Sequence, residues 1–356
     1  MSLDNLRKKI DENDASLVKL IAERIRTAQE IGKEKGAQGR QVVDVEREKL
    51  VLGNIRRMAE EENLNWADIE SIYRKIMALA KGVQGISVSF QGEIGAYSEE
   101  AAFQFFGSSI NLKPCESLDD VFKAVEKGEV QFSVVPVENS LEGSISRTYD
   151  LLLDTSVRVC GELELRVMHC LISVPDATLD TIKRVYSHPQ ALGQCKAFLK
   201  HLNIEVIPTY DTAGSVKMVR DKGTSDNAAI ASARAAEIYG MKILAKEIED
   251  NPNNYTRFFI LSKHLSPPTG HDKTSLVFAV KHKPGALYES LKELANRNIN
   301  LTKIESRPTR QKPWEYNFYM DFEGHYDDSG FQDALKSLEN TTIFVKVLGS
   351  YPKATR

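Results

Sequence analysis

Two groups of residues in this 356-residue chain are placed where chemistry could use them. The first group is cationic. On a helical wheel, Leu3, Leu6, Ile10, Leu17, Leu20, Ile21 and Ile31 form one apolar stripe, and Arg24 falls inside it. Lys35 lies eleven residues further on, about 20° away. Arg47 shares a second stripe with Leu50, Val51 and Met58, and Gln84 shares a third with Tyr73, Met77 and Ala80. A buried cation without a partner costs several kcal/mol. One such residue is best explained by a side chain that bends back to water or meets a carboxylate. Three such cations, on two stripes, predict a helical interior that receives a small polyanion. Arg7 sits about 100° off the Arg24 line, so it does not share that pocket within one chain.

The second group consists of polar residues at strand ends. Val135-Pro136-Val137 runs into Glu138-Asn139-Ser140; Tyr186-Ser187 runs into His188-Pro189-Gln190 and a helix carrying Gln194; Asn253-Asn254-Tyr255-Thr256-Arg257 precedes an apolar run. Open α/β sheets bind ligands beyond strand ends. Each segment alone is equally well a turn with a helix cap. Helix starts at Gly95-Ala96-Tyr97-Ser98 and Thr212-Ala213-Gly214-Ser215 offer backbone N–H groups to carboxylates.

The elements that must hold these residues fall into three modules. Residues 1–85 read as three helices, about 3–35, 44–61 and 65–84, with Asn65 as an N-cap. Residues 86–265 alternate short apolar strands with helices, which predicts an α/β module with mostly parallel sheets. Leu265 to Gly270 reads as a linker, and 270–356 follows a βαββαβ order, the α+β ferredoxin-like arrangement. The chain is expected to be multidomain.

Composition narrows the function classes. A formal net charge of -3 gives no attraction to nucleic acid or an anionic membrane. No apolar run reaches the roughly 18 residues of a membrane span, and no signal-peptide core is visible, so a cytoplasmic location is expected. The four cysteines form no CxxC pair and read as buried thiols, and the seven histidines form no metal-ligand cluster. A Walker lysine and a GxGxxG fingerprint are both missing, which argues against nucleotide binding. No cofactor or metal is expected.

Three resemblances follow from these segments. Arg7, Ala22-Glu23-Arg24, Gly32-Lys33-Glu34-Lys35, Asp44 to Glu48 and Gln84 resemble the all-helical chorismate mutase family. That likeness implies an isomerase that rearranges chorismate to prephenate without covalent catalysis, as at least a dimer. Arg24 and the partner's Arg7 would hold the substrate carboxylates, and Arg47 would add positive potential. Lys35 and Gln84 would hydrogen-bond the ether oxygen, and Glu48 and Asp44 the ring hydroxyl. Some members carry a hydroxyl residue where this chain has Ala80, so a weak mutase module serving mainly to dimerise the chain remains the alternative. Residues 86–263 resemble prephenate dehydratase, a two-subdomain α/β lyase of the type II periplasmic-binding shape, with the site in its cleft. Thr256 would then assist departure of the ring hydroxyl. Glu138, Asn139, Ser187 and Gln194 would line the pocket, and Arg257 would hold a carboxylate or brace the cleft. Finally, Gly285, Ala286 and Leu287 with Glu305, Ser306 and Arg307 resemble the two ligand segments of ACT regulatory domains. This implies allosteric inhibition by phenylalanine, bound between paired domains. Together the resemblances imply a multifunctional enzyme of phenylalanine biosynthesis, and thus of aromatic amino-acid biosynthesis. A ligand sensor without turnover and a prephenate dehydrogenase fusion are the rivals, the latter disfavoured by the missing dinucleotide fingerprint.

Overall fold

The computed structural model describes residues 2–37, 45–82, 85–108, 110–202, 204–309 and 314–354. Asp44 and Gln84 fall outside these, and the side chains of Lys35, Glu48 and Ala80 are likewise outside the description. The chain divides into two compact units, residues 1–87 with 103–111, and residues 88–102 with 112–356. No helix among the described residues is long and apolar enough to cross a membrane.

The first unit holds α1 (Leu3–Ala37), α2 (Val45–Glu61) and α3 (Trp66–Gly82), with α3 packed along both others. Asn65 caps α3 by accepting from Ala67 N–H at 2.9 Å, as its side chain type predicts. Among the described residues of these helices, only Ala59 and Met77 are buried. Leu3, Leu6, Ile10, Leu17 and Leu20 on α1 are exposed. Three helices in one chain therefore leave the long apolar stripe uncovered.

After the helices comes an α/β module of two sheets, which falls in the second unit apart from Ser87 and residues 103–111. Its elements are β1 (Ser87–Gln91), α4 (Tyr97–Phe106), β2 (Asn111–Cys115), α5 (Leu118–Glu126), β3 (Phe132–Asn139), β4 (Gly143–Ser144), α6 (Ser146–Asp154), β5 (Arg158–Arg166), β6 (Cys170–Ser173), β7 (Arg184–Ser187), α7 (Pro189–Gln194), α8 (Lys196–Leu202), β8 (Glu205–Pro208), α9 (Thr212–Lys222), β9 (Asn227–Ala231), α10 (Ala233–Tyr239), β10 (Lys242–Ala245) and β11 (Tyr255–Ser262). One sheet runs β2-β1-β3-β11-β5, with β4 beside β3; the other runs β10-β6-β9-β7-β8. The sheets are mixed and not mostly parallel. β1–β3, β7–β8 and β7–β9 are parallel, whereas β11 runs antiparallel to β3 and β5, and β6 antiparallel to β9 and β10. The reason is the route of the chain. Residues 167–169 carry it from β5 in the first sheet to β6 in the second, and residues 246–254 bring it back to β11. A strand that arrives from another sheet has no βαβ crossover to make it parallel. The two crossings touch, since Val167 N–H donates to the Asn254 carbonyl at 2.8 Å.

The last module comprises β12 (Asp272–Ala279), α11 (Ala286–Ala295), β13 (Leu301–Pro308), β14 (Tyr316–Glu323), α12 (Ser329–Thr341) and β15 (Phe344–Pro352). Its antiparallel sheet runs β13-β14-β12-β15, the expected βαββαβ layout. One face buries Leu276, Phe278, Met320 and Phe322 under Leu294, Phe331, Ala334 and Leu338 of the two helices. Side-chain alternation, interrupted by a bulge at Leu348, sends Val277, Tyr319, Leu348 and Tyr351 to the other face. There they join Val135, Val137, Val159, Phe259 and Leu261 of the α/β module in one core. The sheets approach so closely that a Cβ at Gly349 would overlap the Val159 carbonyl. Residues 265–270 therefore join two modules that share a core, not two separate bodies.

Candidate active site and sensor pocket

β3 and β11 pair so that Thr256 stands opposite Asn139 and Arg257 opposite Glu138. Neighbours along a strand face opposite ways. Thr256 and Asn139 therefore share one face of the sheet, and Arg257 and Glu138 share the other.

On the first face the structure brings three expected residues together. Asn139 Nδ2 donates to Thr256 Oγ1 at 3.1 Å and to Asn254 Oδ1 at 2.8 Å. Asn254 Nδ2 donates to Gln194 Oε1 at 2.9 Å. The same Oε1 lies 2.9 Å from His169 Nε2, and His169 Nδ1 lies 2.9 Å from the Tyr97 hydroxyl. Asn139, Asn254, Thr256, Gln194 and His169 are all buried. Gln194 is the last residue of α7, whose start is capped by His188 over Gln190 N–H. Burial holds His169 below the ordinary histidine pKa, against the opposing pull of its bond to Gln194, so the ring is neutral near pH 7. Tyr97, His169 and Asn254 were not singled out as site residues. They lie at a helix start and on the two crossings, and only the fold brings them to Gln194.

A cavity of about 770 Å³ meets this network at Tyr97 alone; it is also lined by Ser98, Glu93, His188, Asp211 and Thr212 among others, and Asn139, Gln194 and Thr256 do not line it. The two helix starts expected to bind substrate carboxylates are already engaged. Gly214 N–H donates to Asp211 Oδ1 at 2.7 Å, and Gly95 N–H to Glu99 Oε2 at 2.9 Å. Burial raises the Asp211 pKa.

Three expected site residues point elsewhere. Arg257 does not reach the Thr256 face. Its guanidinium lies between the α/β and C-terminal sheets, 2.7 Å from Glu162 and 2.6 Å from Asp321, with Tyr351 Oη at 3.1 Å. The carboxylates it holds are the protein's own, and it joins the two modules instead of the cleft. Glu138 is held by Lys303 of β13 at 2.8 Å, on the face away from Thr256. Ser187 ends β7 and donates its hydroxyl proton to the Ile230 carbonyl at 2.6 Å, although its oxygen can still accept.

In the helical unit, Arg24 is half-buried while Arg7 and Arg47 are exposed. Arg7 lies 3.9 Å from Asp4 of its own helix. These cations lie on faces that one chain leaves open.

In the last module a cavity of about 330 Å³ is lined by Gly285, Ala286, Leu287, Tyr288, Trp314 and Phe318 among others. Gly285 adopts φ 80° and starts α11 without a side-chain cap, leaving first-turn N–H groups available to a ligand. Glu305 and Arg307 do not line this cavity. Glu305 bonds to Ser144, and Arg307 to Asp150 at 3.0 Å on α6. Ser306, between them, is exposed on the opposite side of the strand.

Comparison with known proteins agrees with this layout. Three family descriptions match in order: "Chorismate mutase type II" over residues 6–85, "Prephenate dehydratase" over 88–266 and "ACT domain" over 274–340. The chain is 39% identical to a bifunctional chorismate mutase/prephenate dehydratase of Stutzerimonas stutzeri, across 99% of this chain and 98% of that one. It is 38% identical to the protein of the same description from Aquifex aeolicus, again across 99% and 98%. Among solved structures, a prephenate dehydratase from Arthrobacter aurescens in complex with L-Phe matches with a TM-score of 0.70 and 33% identity, over 75% of this chain and 90% of that one.

Proposed function

We infer the work of each site from one premise: the chain belongs to the bifunctional chorismate mutase/prephenate dehydratase family. It rearranges chorismate to prephenate, converts prephenate to phenylpyruvate, and is subject to feedback by phenylalanine through its ACT domain.

The dehydratase site is the buried face of β3 and β11. Its carrying observation is the bond from Asn139 Nδ2 to Thr256 Oγ1. With its oxygen accepting from Asn139, Thr256 keeps its own hydroxyl proton for a substrate oxygen. Prephenate loses its ring carboxylate as carbon dioxide. The electron pair of that bond enters the ring, and the hydroxyl leaves from the far carbon. Thr256 donates a hydrogen bond to the departing oxygen as it gains charge, and the proton that makes it water comes from solvent. A threonine hydroxyl is too weak an acid to transfer its proton fully at neutral pH. Glu138, bound to Lys303 on the other face, acts on this site through β3. Thr256→Ala should abolish phenylpyruvate formation and leave chorismate consumption intact. Dehydratase turnover near wild type in that variant would remove Thr256 from the mechanism.

In the helical module, Arg24, Lys35 and Arg47 with Gln84 bind the chorismate carboxylates and ether oxygen, and Asp44 and Glu48 bind the ring hydroxyl. A second copy covers the exposed stripe of α1 and supplies the partner's Arg7. The exposed Leu3, Leu6, Ile10 and Leu17 support that pairing. Light scattering tests it, since a monomer that still consumes chorismate would contradict it. In the ACT domain, phenylalanine sits at Gly285–Leu287, its carboxylate on the open start of α11.

A further inference from the structure

The directions of the hydrogen bonds through the buried polar chain are set from one end. Asn139 Oδ1 accepts from the N–H groups of Leu141 and Glu142, at 3.0 Å and 3.1 Å. Its Nδ2 must therefore face Asn254 and Thr256. Asn254 then presents Oδ1 to Asn139 and Nδ2 to Gln194, and Gln194 receives that donor on Oε1. His169 Nε2 reaches the same oxygen, so it must carry the proton. Nδ1 is left as an acceptor beside the Tyr97 hydroxyl, whose single proton it shares with the Met168 carbonyl, 2.8 Å from the same oxygen. Turning either Asn254 or Gln194 would oppose two N–H donors, which forces this assignment from the network.

One group is left over. Gln194 Oε1 is held by two donors, while its buried Nε2 has no partner among the described residues. Gln194 is only 8% exposed. An unsatisfied buried donor costs about 1–3 kcal/mol. That cost is removed when a substrate oxygen accepts from it.

We propose that His169 is a positioning residue of the dehydratase: its Nε2–H pins Gln194 Oε1, so that Gln194 Nε2 is aimed as a donor at an oxygen of the bound substrate. The proposal rests on the Thr256 site described above. His169 is suited to the task because it sits on the first crossing, at residues 167–169, between the two sheets. Its own backbone is fixed there. Its N–H donates to Glu249 Oε2 at 2.9 Å, and its carbonyl accepts from Ile248 N–H at 3.1 Å. Asn254, the other donor to Gln194, sits on the second crossing. Gln194 is thus held by both segments that join the subdomains, and the aim of its amide depends on the two together.

The test is a double-mutant cycle in the full chain with prephenate as substrate, using His169→Phe, Gln194→Met and the double variant, with His169→Gln as the conservative replacement. His169→Phe should lower kcat/KM by roughly ten- to a hundredfold, the scale of a misplaced group. Made on top of Gln194→Met, it should cost little more, since the aimed group is already gone. His169→Gln, which keeps an N–H donor, should recover a large part of the loss. Equal losses in both backgrounds, or wild-type kcat/KM in His169→Phe, overturn the proposal. If His169→Phe does not fold, His169→Gln decides. A folded His169→Gln as slow as Gln194→Met also overturns it. A dead Thr256→Ala beside a fully active His169→Phe refutes this inference alone, whereas an active Thr256→Ala refutes the site on which it rests.

Discussion

Lys303 Nζ of β13 stands 2.8 Å from Glu138 Oε2, so the ACT sheet is tied to the strand that carries Asn139. The same ammonium lies 2.8 Å from Ser144 Oγ and 3.4 Å from Glu305, and 5.3 Å from the centre of the Tyr149 ring. Lys303→Met removes the cation that separates two carboxylates. Expected are a lower dehydratase turnover and a weaker response to phenylalanine, with chorismate consumption unchanged. Lys303→Arg keeps the charge and should be milder. Parallel turnover assays with and without phenylalanine check this, and an unaltered response in Lys303→Met shows that the pair carries no signal.

Thr256→Ser keeps the hydroxyl and should retain measurable dehydratase activity. Thr256→Val keeps the shape and loses the donor. Loss of one aimed donor costs about 10²–10³ in kcat at an oxyanion site. A comparable gap between the two variants, measured by phenylpyruvate formation, is the expected result.

Arg257 holds two buried carboxylates, Glu162 and Asp321, one from each side of the shared core. Arg257→Leu leaves Asp321 without that cation, while Glu162 keeps Lys273 at 3.0 Å. Removing one partner of a buried pair costs about 3–5 kcal/mol. Denaturant unfolding should show a loss of that order. The same shared core means that deleting residues 266–356 uncovers Val135, Val159 and Phe259, so a point variant is the cleaner probe of regulation.

Gly285→Val is that variant. A side chain at φ 80° is strained, although space for a Cβ is open there. Phenylalanine inhibition should be lost while the uninhibited dehydratase rate stays close to wild type. Inhibition curves across millimolar phenylalanine decide, and an unshifted curve places the effector elsewhere.

His169 also predicts a pH dependence of stability. Its folded pKa lies below the ordinary value of 6.5 because burial disfavours the charged ring. As pH falls through the unfolded pKa, the unfolded chain takes up a proton that the folded chain refuses, and stability declines. The stability of His169→Gln relative to wild type should therefore improve as pH falls from about 7 toward about 5. Denaturation midpoints at several pH values measure this, and a constant difference contradicts it.

Much of the molecule was legible in the residues alone. Helical and strand periods marked the three modules, because burial imposes those periods locally. The strand-end segments pointed to Asn139, Gln194 and Thr256, and the cysteines were rightly read as buried. Alternation also required Thr256 and Arg257 to face opposite ways. What alternation could not state was what lies on each side. Only the tertiary structure put the ACT sheet behind Glu138 and Arg257, and so turned them from the pocket toward Lys303 and Asp321. It alone brought His169 and Asn254, eighty-five positions apart in sequence, onto one amide of Gln194. Contacts between crossings depend on how two sheets are joined in space, and no local period records that.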